Sequence, residues 1–116
     1  MERVNFITTE SGDDLIVSFA AGRADPGEIR SVTVMRTPKY EFVLDDSERG
    51  ASVSDEDRHE DDADLLKEVE FRGNEVWIVS QNAEYQFDCR KVDPEEVEDA
   101  KKILRAMNFD TRFRFK

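Results

Sequence analysis

Apolar residues alternate with polar ones in several short segments, and this pattern constrains the fold more than any other feature of the sequence. Successive side chains of a β-strand point to opposite faces, so period-two alternation predicts strands with one buried face. Four apolar residues in succession, from Val76 to Val79, predict a central strand covered on both faces. The apolar residues that define the predicted strands are Val4 and Phe6; Leu15, Val17 and Phe19; Ile29, Val32 and Val34; Tyr40, Phe42 and Leu44; Val69 and Phe71; Val76 and Ile78; Tyr85, Phe87 and Cys89; and Phe113 and Phe115.

One segment, from Pro94 to Met107, has helical periodicity instead. Asp93 is a natural N-cap, Pro94 suits the first helical position, and Glu96 stands at the spacing of a capping box. Asn108 is expected to end this helix. Its apolar stripe consists of Val97, Ala100, Ile103, Leu104 and Met107.

The segments are separated by turn-forming residues, and Gly73-Asn74 has the form of a two-residue hairpin turn. Connections of hairpin length favour pairing between sequential strands. A chain of 116 residues has the size of one domain. We therefore predict a single α+β domain over residues 1–116. It should contain a mostly antiparallel sheet of about seven or eight short strands, with the helix Pro94 to Met107 packed on it.

The formal net charge of -11 is unevenly distributed along the chain. Residues 45–64 hold ten acids against two bases, which predicts a long mobile acidic loop from Asp45 to Asp64. We expect its acids to form a partner-binding surface: Asp45, Asp46, Glu48, Asp55, Glu56, Asp57, Glu60, Asp61, Asp62 and Asp64. The last sixteen residues form a basic patch of Lys101, Lys102, Arg105, Arg112, Arg114 and Lys116.

The basic patch has two further interpretations. Its residues complement the helix dipole and protect an edge strand, and they could also hold the acidic loop against the same molecule. The acidic loop, in turn, can neutralise a basic protein surface and accelerate association. Such recognition needs aromatic or arginine anchors, for which Tyr40, Arg36 and Trp77 are candidates if they are exposed. The overall acidity argues against nucleic acid as a ligand.

The sequence contains none of the common nucleotide-binding, acyl-transfer or zincin motifs. We expect no catalytic residue and no cofactor. The one histidine, His59, lies in the acidic loop, and the one cysteine, Cys89, reads as a buried thiol. An EF-hand beginning at Asp55 would have Glu60 where glycine is required. A lone cysteine and the absence of a long apolar segment favour a cytoplasmic protein that does not span a membrane.

In size, acidity and α+β pattern, the chain resembles the small standalone immunity proteins of bacterial toxin systems. The resemblance is one of composition and transfers no residue roles. It implies a non-enzymatic protein that binds and inhibits, or escorts, a basic protein partner through the acidic loop. One alternative is a divalent-cation-binding domain or metal-dependent enzyme that uses the carboxylates of residues 55–64. Another is a structural domain that associates with further copies of itself.

Overall fold

The computed structural model describes residues 1–22, 29–57 and 64–116. Over these ranges the chain forms eight strands, two 3-10 helices and one α-helix. The 3-10 helices span Pro38–Val43 and Asp46–Glu48, and the α-helix, α1, spans Pro94–Met107. The strands are β1 (Glu2–Glu10), β2 (Leu15–Gly22), β3 (Ile29–Arg36), β4 (Ser52–Asp55), β5 (Leu66–Arg72), β6 (Glu75–Ser80), β7 (Glu84–Asp88) and β8 (Arg114–Phe115). The predicted α+β class, the helix and the approximate strand number are confirmed.

All eight strands belong to one sheet, in the order β4-β3-β2-β1-β7-β6-β5-β8. Sequential strands pair antiparallel within β1–β4 and within β5–β7, as hairpin-length connections favour. Two parallel pairs, β1 with β7 and β5 with β8, join segments distant in sequence and were not predicted. The sheet also curves until its β4 edge meets the start of β5. There Ser52 forms a bridge with Leu65, and the Val53 N–H donates to the Asp64 carbonyl.

The inner face of this curved sheet and one face of α1 form the core, with the helix in contact with β1 and β2. Phe19 and Phe87 stack with ring centroids 5.2 Å apart, and both rings are fully buried. Ala100, Leu104 and Met107 supply the buried stripe of the helix. For most strands, the alternation that predicted them is therefore the alternation between this core and solvent. In β1 a register shift after Val4 turns Ile7 inward, so Phe6, predicted on the buried face, is exposed; Ile29 at the start of β3 is exposed as well.

Both ends of α1 lie where the sequence predicts them, but the predicted capping box is absent and its glutamate, Glu96, binds elsewhere. The Asp93 carboxylate accepts a hydrogen bond of 2.9 Å from the Glu95 N–H, and Asn108 follows the last helical residue. The Glu96 carboxylate does not close a capping box on Asp93. It accepts a hydrogen bond of 2.8 Å from the Ile7 N–H, because β1 pairs with β7 only near Glu2 and Arg3. The helix thus satisfies a backbone donor that the sheet leaves unpaired.

The strand predicted around Tyr40, Phe42 and Leu44 is wrong, because the chain forms the 3-10 helix Pro38–Val43 there. Its one buried residue is the acidic Glu41, while Tyr40 and Phe42 face solvent. The segment does alternate apolar and polar residues, but the polar Glu41 faces the core and its apolar neighbours face solvent.

The single acidic loop from Asp45 to Asp64 is not confirmed. Its first part contains the 3-10 helix Asp46–Glu48, and Ser52–Asp55 forms β4, which pairs with β3. Ala51 and Val53 are buried, since the inner face of the sheet continues through this segment. Residues 58–63, including His59, Glu60, Asp61 and Asp62, lie outside the described residues.

Two smaller predictions also need revision. In β6 only Val76, Ile78 and Ser80 are buried, whereas Trp77 and Val79 are half-buried, so one face of this strand is fully covered and not both. At the C-terminus only Arg114 and Phe115 pair as a strand, and they do so parallel to β5.

Candidate functional site

A buried arginine, Arg36 at the end of β3, organises the most distinctive region of the surface. Its guanidinium donates two hydrogen bonds of 2.8 Å to the Glu41 carboxylate. It donates two more, of 2.8 and 2.9 Å, to Asp110, and one of 2.7 Å to the Met107 carbonyl at the end of α1. The Phe109 ring lies 4.2 Å from the guanidinium carbon. One side chain therefore joins β3, the first 3-10 helix and the segment that follows α1.

The charges at this junction stabilise one another. Hydrogen bonds from Arg36 hold the pKa of both the Glu41 and the Asp110 carboxyls below their usual values. Burial opposes the charge of Arg36, but its hydrogen bonds to Asp110 and Glu41 outweigh this effect and raise the pKa of the guanidinium. The junction is thus ionised at neutral pH.

Around this junction, large apolar side chains are turned toward solvent. Phe42 is 75% exposed, Val43 71%, Phe109 60% and Tyr40 57%. The inward-facing Glu41 places its neighbours on the outside of the 3-10 helix, and Phe109 is held by its contact with Arg36. We call Tyr40, Phe42, Val43, Leu44 and Phe109 the apolar face. Exposed apolar residues that occur together mark binding surfaces more often than isolated ones do.

Three of the predicted partner-binding acids lie directly beside the apolar face. Asp45, Asp46 and Glu48 are exposed and follow Leu44 in the chain. Arg112 anchors this segment, because its guanidinium donates to the Asp46 carbonyl at 2.7 Å and to the Asp46 carboxylate at 2.5 Å. One member of the predicted basic patch therefore does hold part of the acidic segment within the molecule.

The other predicted acids that the structure describes are Asp55, Glu56, Asp57 and Asp64, and the side chains of two of them are buried. Asp64 is buried, and its carboxylate accepts hydrogen bonds from the Ser80 hydroxyl at 2.6 Å and the Asn82 N–H at 3.0 Å. The Asp55 carboxylate accepts from the Tyr85 hydroxyl at 3.1 Å and is almost fully buried. Both carboxylates form hydrogen bonds in the interior of the protein, so they do not belong to an accessible acidic surface. Glu56 and Asp57 are exposed at the end of β4.

The residues of the basic patch make several different contacts within the molecule. Lys101 lies over the Phe71 ring and Arg105 over the Phe115 ring, and these two rings stack 5.8 Å apart at the sheet edge. Lys116 pairs with Glu68 at 3.1 Å, whereas Arg112 belongs to the junction described above. Lys102 and Arg114 are exposed. These contacts favour packing and edge protection as the role of most of the patch.

Two observations concern the possible metal ligands and the cysteine in the described part of the chain. No group of three or more His, Cys, Asp or Glu residues there is arranged to hold a metal ion. Cys89 is buried, and burial raises the pKa of its thiol to about 11, which disfavours the reactive thiolate.

Sequence reasoning missed most of this site. Tyr40 and Arg36 were named as candidate anchors; Tyr40 is exposed, whereas Arg36 proves to be the buried support. Phe42, Val43 and Phe109 were not predicted to be exposed. The available signal was Pro38, which begins the 3-10 helix, together with an acidic residue inside an apolar run.

Comparison with known proteins provides no family assignment. No family model matches the chain, and neither a curated protein nor a solved structure is significantly similar to it. Within the described ranges, no helix has the length and apolar character needed to cross a membrane.

Proposed function

We propose that this chain is a non-enzymatic protein-interaction module that binds a basic protein partner through the apolar face and the acids beside it. The observation that carries this proposal is the exposure of Phe42 and Val43, each more than 70%, on a segment that Arg36 and Arg112 fix in place. Large apolar anchors near the centre of an interface supply most of its binding energy. A preformed segment also loses little entropy on binding.

Charge determines the kind of partner. Asp45, Asp46 and Glu48 border the apolar face, and the whole chain carries a net charge of -11. A surface of this kind attracts a basic partner and accelerates its association, and it repels acidic proteins. Inhibition or escort of such a partner in the cytoplasm, as the resemblance to immunity proteins implies, is the form of this function that we propose. The lone buried Cys89 agrees with a reducing compartment.

The apolar anchors are tested by Phe42→Ser and a matched control, Phe6→Ser. Phe6 is also exposed, but it lies toward the other end of the sheet from Arg36. It pairs with Ala20 of β2, and Ala20 pairs with Ser31, five residues before Arg36 in β3. A basic protein captured from the native cytoplasm is purified, and its Kd is measured with each variant. We expect Phe42→Ser to weaken binding by about thirtyfold and Phe6→Ser to leave it unchanged. Equal affinities for the wild type and Phe42→Ser would refute the proposal.

The acids are tested with two triple variants that remove the same charge. The first is D45N/D46N/E48Q, and the second changes exposed acids of α1, E95Q/E98Q/D99N. We expect the first variant to lower the association rate and its salt dependence more than the second. If both lower the rate equally, net charge and not this surface attracts the partner. A concentration-dependent dimer that Phe42→Ser abolishes would instead assign the apolar face to a second copy of the chain.

A further inference from the structure

A second surface, distant in sequence from the apolar face, is built from arginines. Strand register aligns four charged residues across one end of the sheet. Arg3 of β1 lies opposite Asp88 of β7, Asp88 opposite Glu75 of β6, and Glu75 opposite Arg72 of β5. Arg90, just after β7, extends over the same region. These side chains, with Asn74, line an open cleft of about 790 Å³.

The cations exceed the acids in this region. A smaller cleft of about 180 Å³ adjoins the first, shares Arg3, Asp88 and Arg90 with it, and adds Lys91. Four cations therefore face the two carboxylates of Glu75 and Asp88, and one further acid, Glu70, pairs with Arg72 beside the cleft. We call Arg3, Arg72, Arg90 and Lys91 the basic cleft. A net positive concavity is unusual on a chain with a charge of -11, and it concentrates anions locally.

The arginines of the basic cleft retain capacity to bind a ligand. Arg90 pairs with Asp88 at 2.9 Å, but its side chain remains 72% exposed. Arg72 pairs with Glu70 at 3.0 Å and is 62% exposed. Among the residues that the structure describes, none forms a hydrogen bond or ion pair with the Arg3 guanidinium. Arg3 lines both clefts and, after Arg90, contributes to lowering the pKa of Asp88.

The geometry points to a binding site for a small, multiply charged anion of the phosphate class in the basic cleft. Guanidinium groups bind such oxygens through paired, charge-assisted hydrogen bonds. The expected small size of the ligand follows from the negative charge of the rest of the surface. Charges beyond about 8 Å, the screening length at physiological salt, are largely screened, so a small anion in the cleft meets mainly the local excess of cations. A long polyanion would also contact the acids of the surrounding surface. The site is independent of the proposed docking function.

The test uses inorganic pyrophosphate as the probe and Trp77 as the reporter. Trp77 is the one tryptophan of the chain; its indole N–H donates to Glu75 at 3.3 Å, and Arg72 lies 5.2 Å from its ring. A ligand that draws Arg72 into the cleft changes the surroundings of this indole. We expect saturable binding with a change in tryptophan fluorescence, and calorimetry should give a stoichiometry of one.

Variants assign the binding to the cleft. Arg3→Gln and Arg90→Gln should each weaken pyrophosphate binding by about tenfold, the loss expected for one charged hydrogen-bond donor. Lys102→Gln removes the same charge from an exposed position on α1 and should have no effect. Asp88→Asn should strengthen binding, because it removes a competing carboxylate. Thermal unfolding checks that each variant is folded.

Three results would overturn the assignment. The first is no saturable binding of pyrophosphate by the folded wild-type protein. The second is an equal loss of affinity in Arg3→Gln, Arg90→Gln and Lys102→Gln, which indicates non-specific attraction. The third is binding of a long single-stranded nucleic acid in preference to pyrophosphate.

Discussion

Replacing Arg36 with methionine should destabilise the protein more than almost any other single substitution. The side chain is 1% exposed and donates five hydrogen bonds, four to carboxylates and one to a backbone carbonyl. Without it, Glu41 and Asp110 keep their charges but lose their shared cation. Removal of one partner from a buried ion pair costs about 3–5 kcal/mol. The free energy of unfolding of a domain this size is about 5–15 kcal/mol, so R36M should fold but with a much smaller margin.

Urea denaturation followed by Trp77 fluorescence measures this loss. For an m-value of about 2 kcal/mol/M, a loss of about 4 kcal/mol moves the midpoint down by about 2 M. Glu41→Gln is the milder control, because an amide still accepts from the guanidinium. The double variant R36M/E41Q should recover part of the stability that R36M loses, since it removes the buried charge of Glu41, whereas Asp110 keeps its ion pair with Arg112.

The pH dependence of the free energy of unfolding distinguishes the loss of ion pairs in R36M from a loss of packing. In the wild type the pKa values of Glu41 and Asp110 are lowered on folding, so their stabilisation is complete above the ordinary carboxyl range near pH 4 and is lost below it. R36M removes the largest cause of this lowering for both carboxyls, whereas Arg112 still lowers the pKa of Asp110. The difference in stability between wild type and R36M should therefore narrow as the pH falls from 7 to about 3.5. A loss below about 1 kcal/mol, or a difference independent of pH, would refute the role assigned to Arg36.

Three other predictions test separate parts of the fold. Asp93→Ala should cost about 1 kcal/mol of unfolding free energy in urea titrations, because the Glu95 N–H loses its cap, whereas Asp93→Asn should cost much less. Asp64→Ala should cost about 1–3 kcal/mol, since it removes the acceptor of the buried Ser80 hydroxyl; a change below the error of the titration would contradict that role. Cys89 should react with a thiol reagent at pH 7 far more slowly than the unfolded chain does, and equal rates would show that the thiol is accessible.

The helix shows how far local rules reach. Asp93, Pro94 and the apolar stripe predicted both ends of α1, because capping and helical periodicity act between residues a few positions apart. The same holds for the hairpin at Gly73-Asn74, where Gly73 adopts the positive φ of 58° that such a turn requires. The role of Glu96 was missed, since its hydrogen-bond partner, Ile7, lies 89 residues away.

The candidate surfaces depend on contacts between residues that are distant in sequence. The basic cleft exists because parallel pairing of β1 with β7 places Arg3 beside Asp88, and no local pattern specifies that pairing. Similarly, β4 carries one apolar residue, Val53, among polar ones, so only its pairing with β3 identifies it as a strand.

By itself, the sequence determined where most strands lie, where the helix begins and ends, and that one acidic domain results, because these properties follow from periodicity, capping and composition. Only the tertiary structure decided which face of each segment is covered. Asp110, 74 residues away, and the Met107 carbonyl bind the buried Arg36, and Glu41 turns inward to pair with the same guanidinium, which leaves Phe42 exposed. A charged side chain is buried at low cost only beside an oppositely charged partner. Which side chains of this region face the core therefore depends on contacts between segments that are distant in sequence.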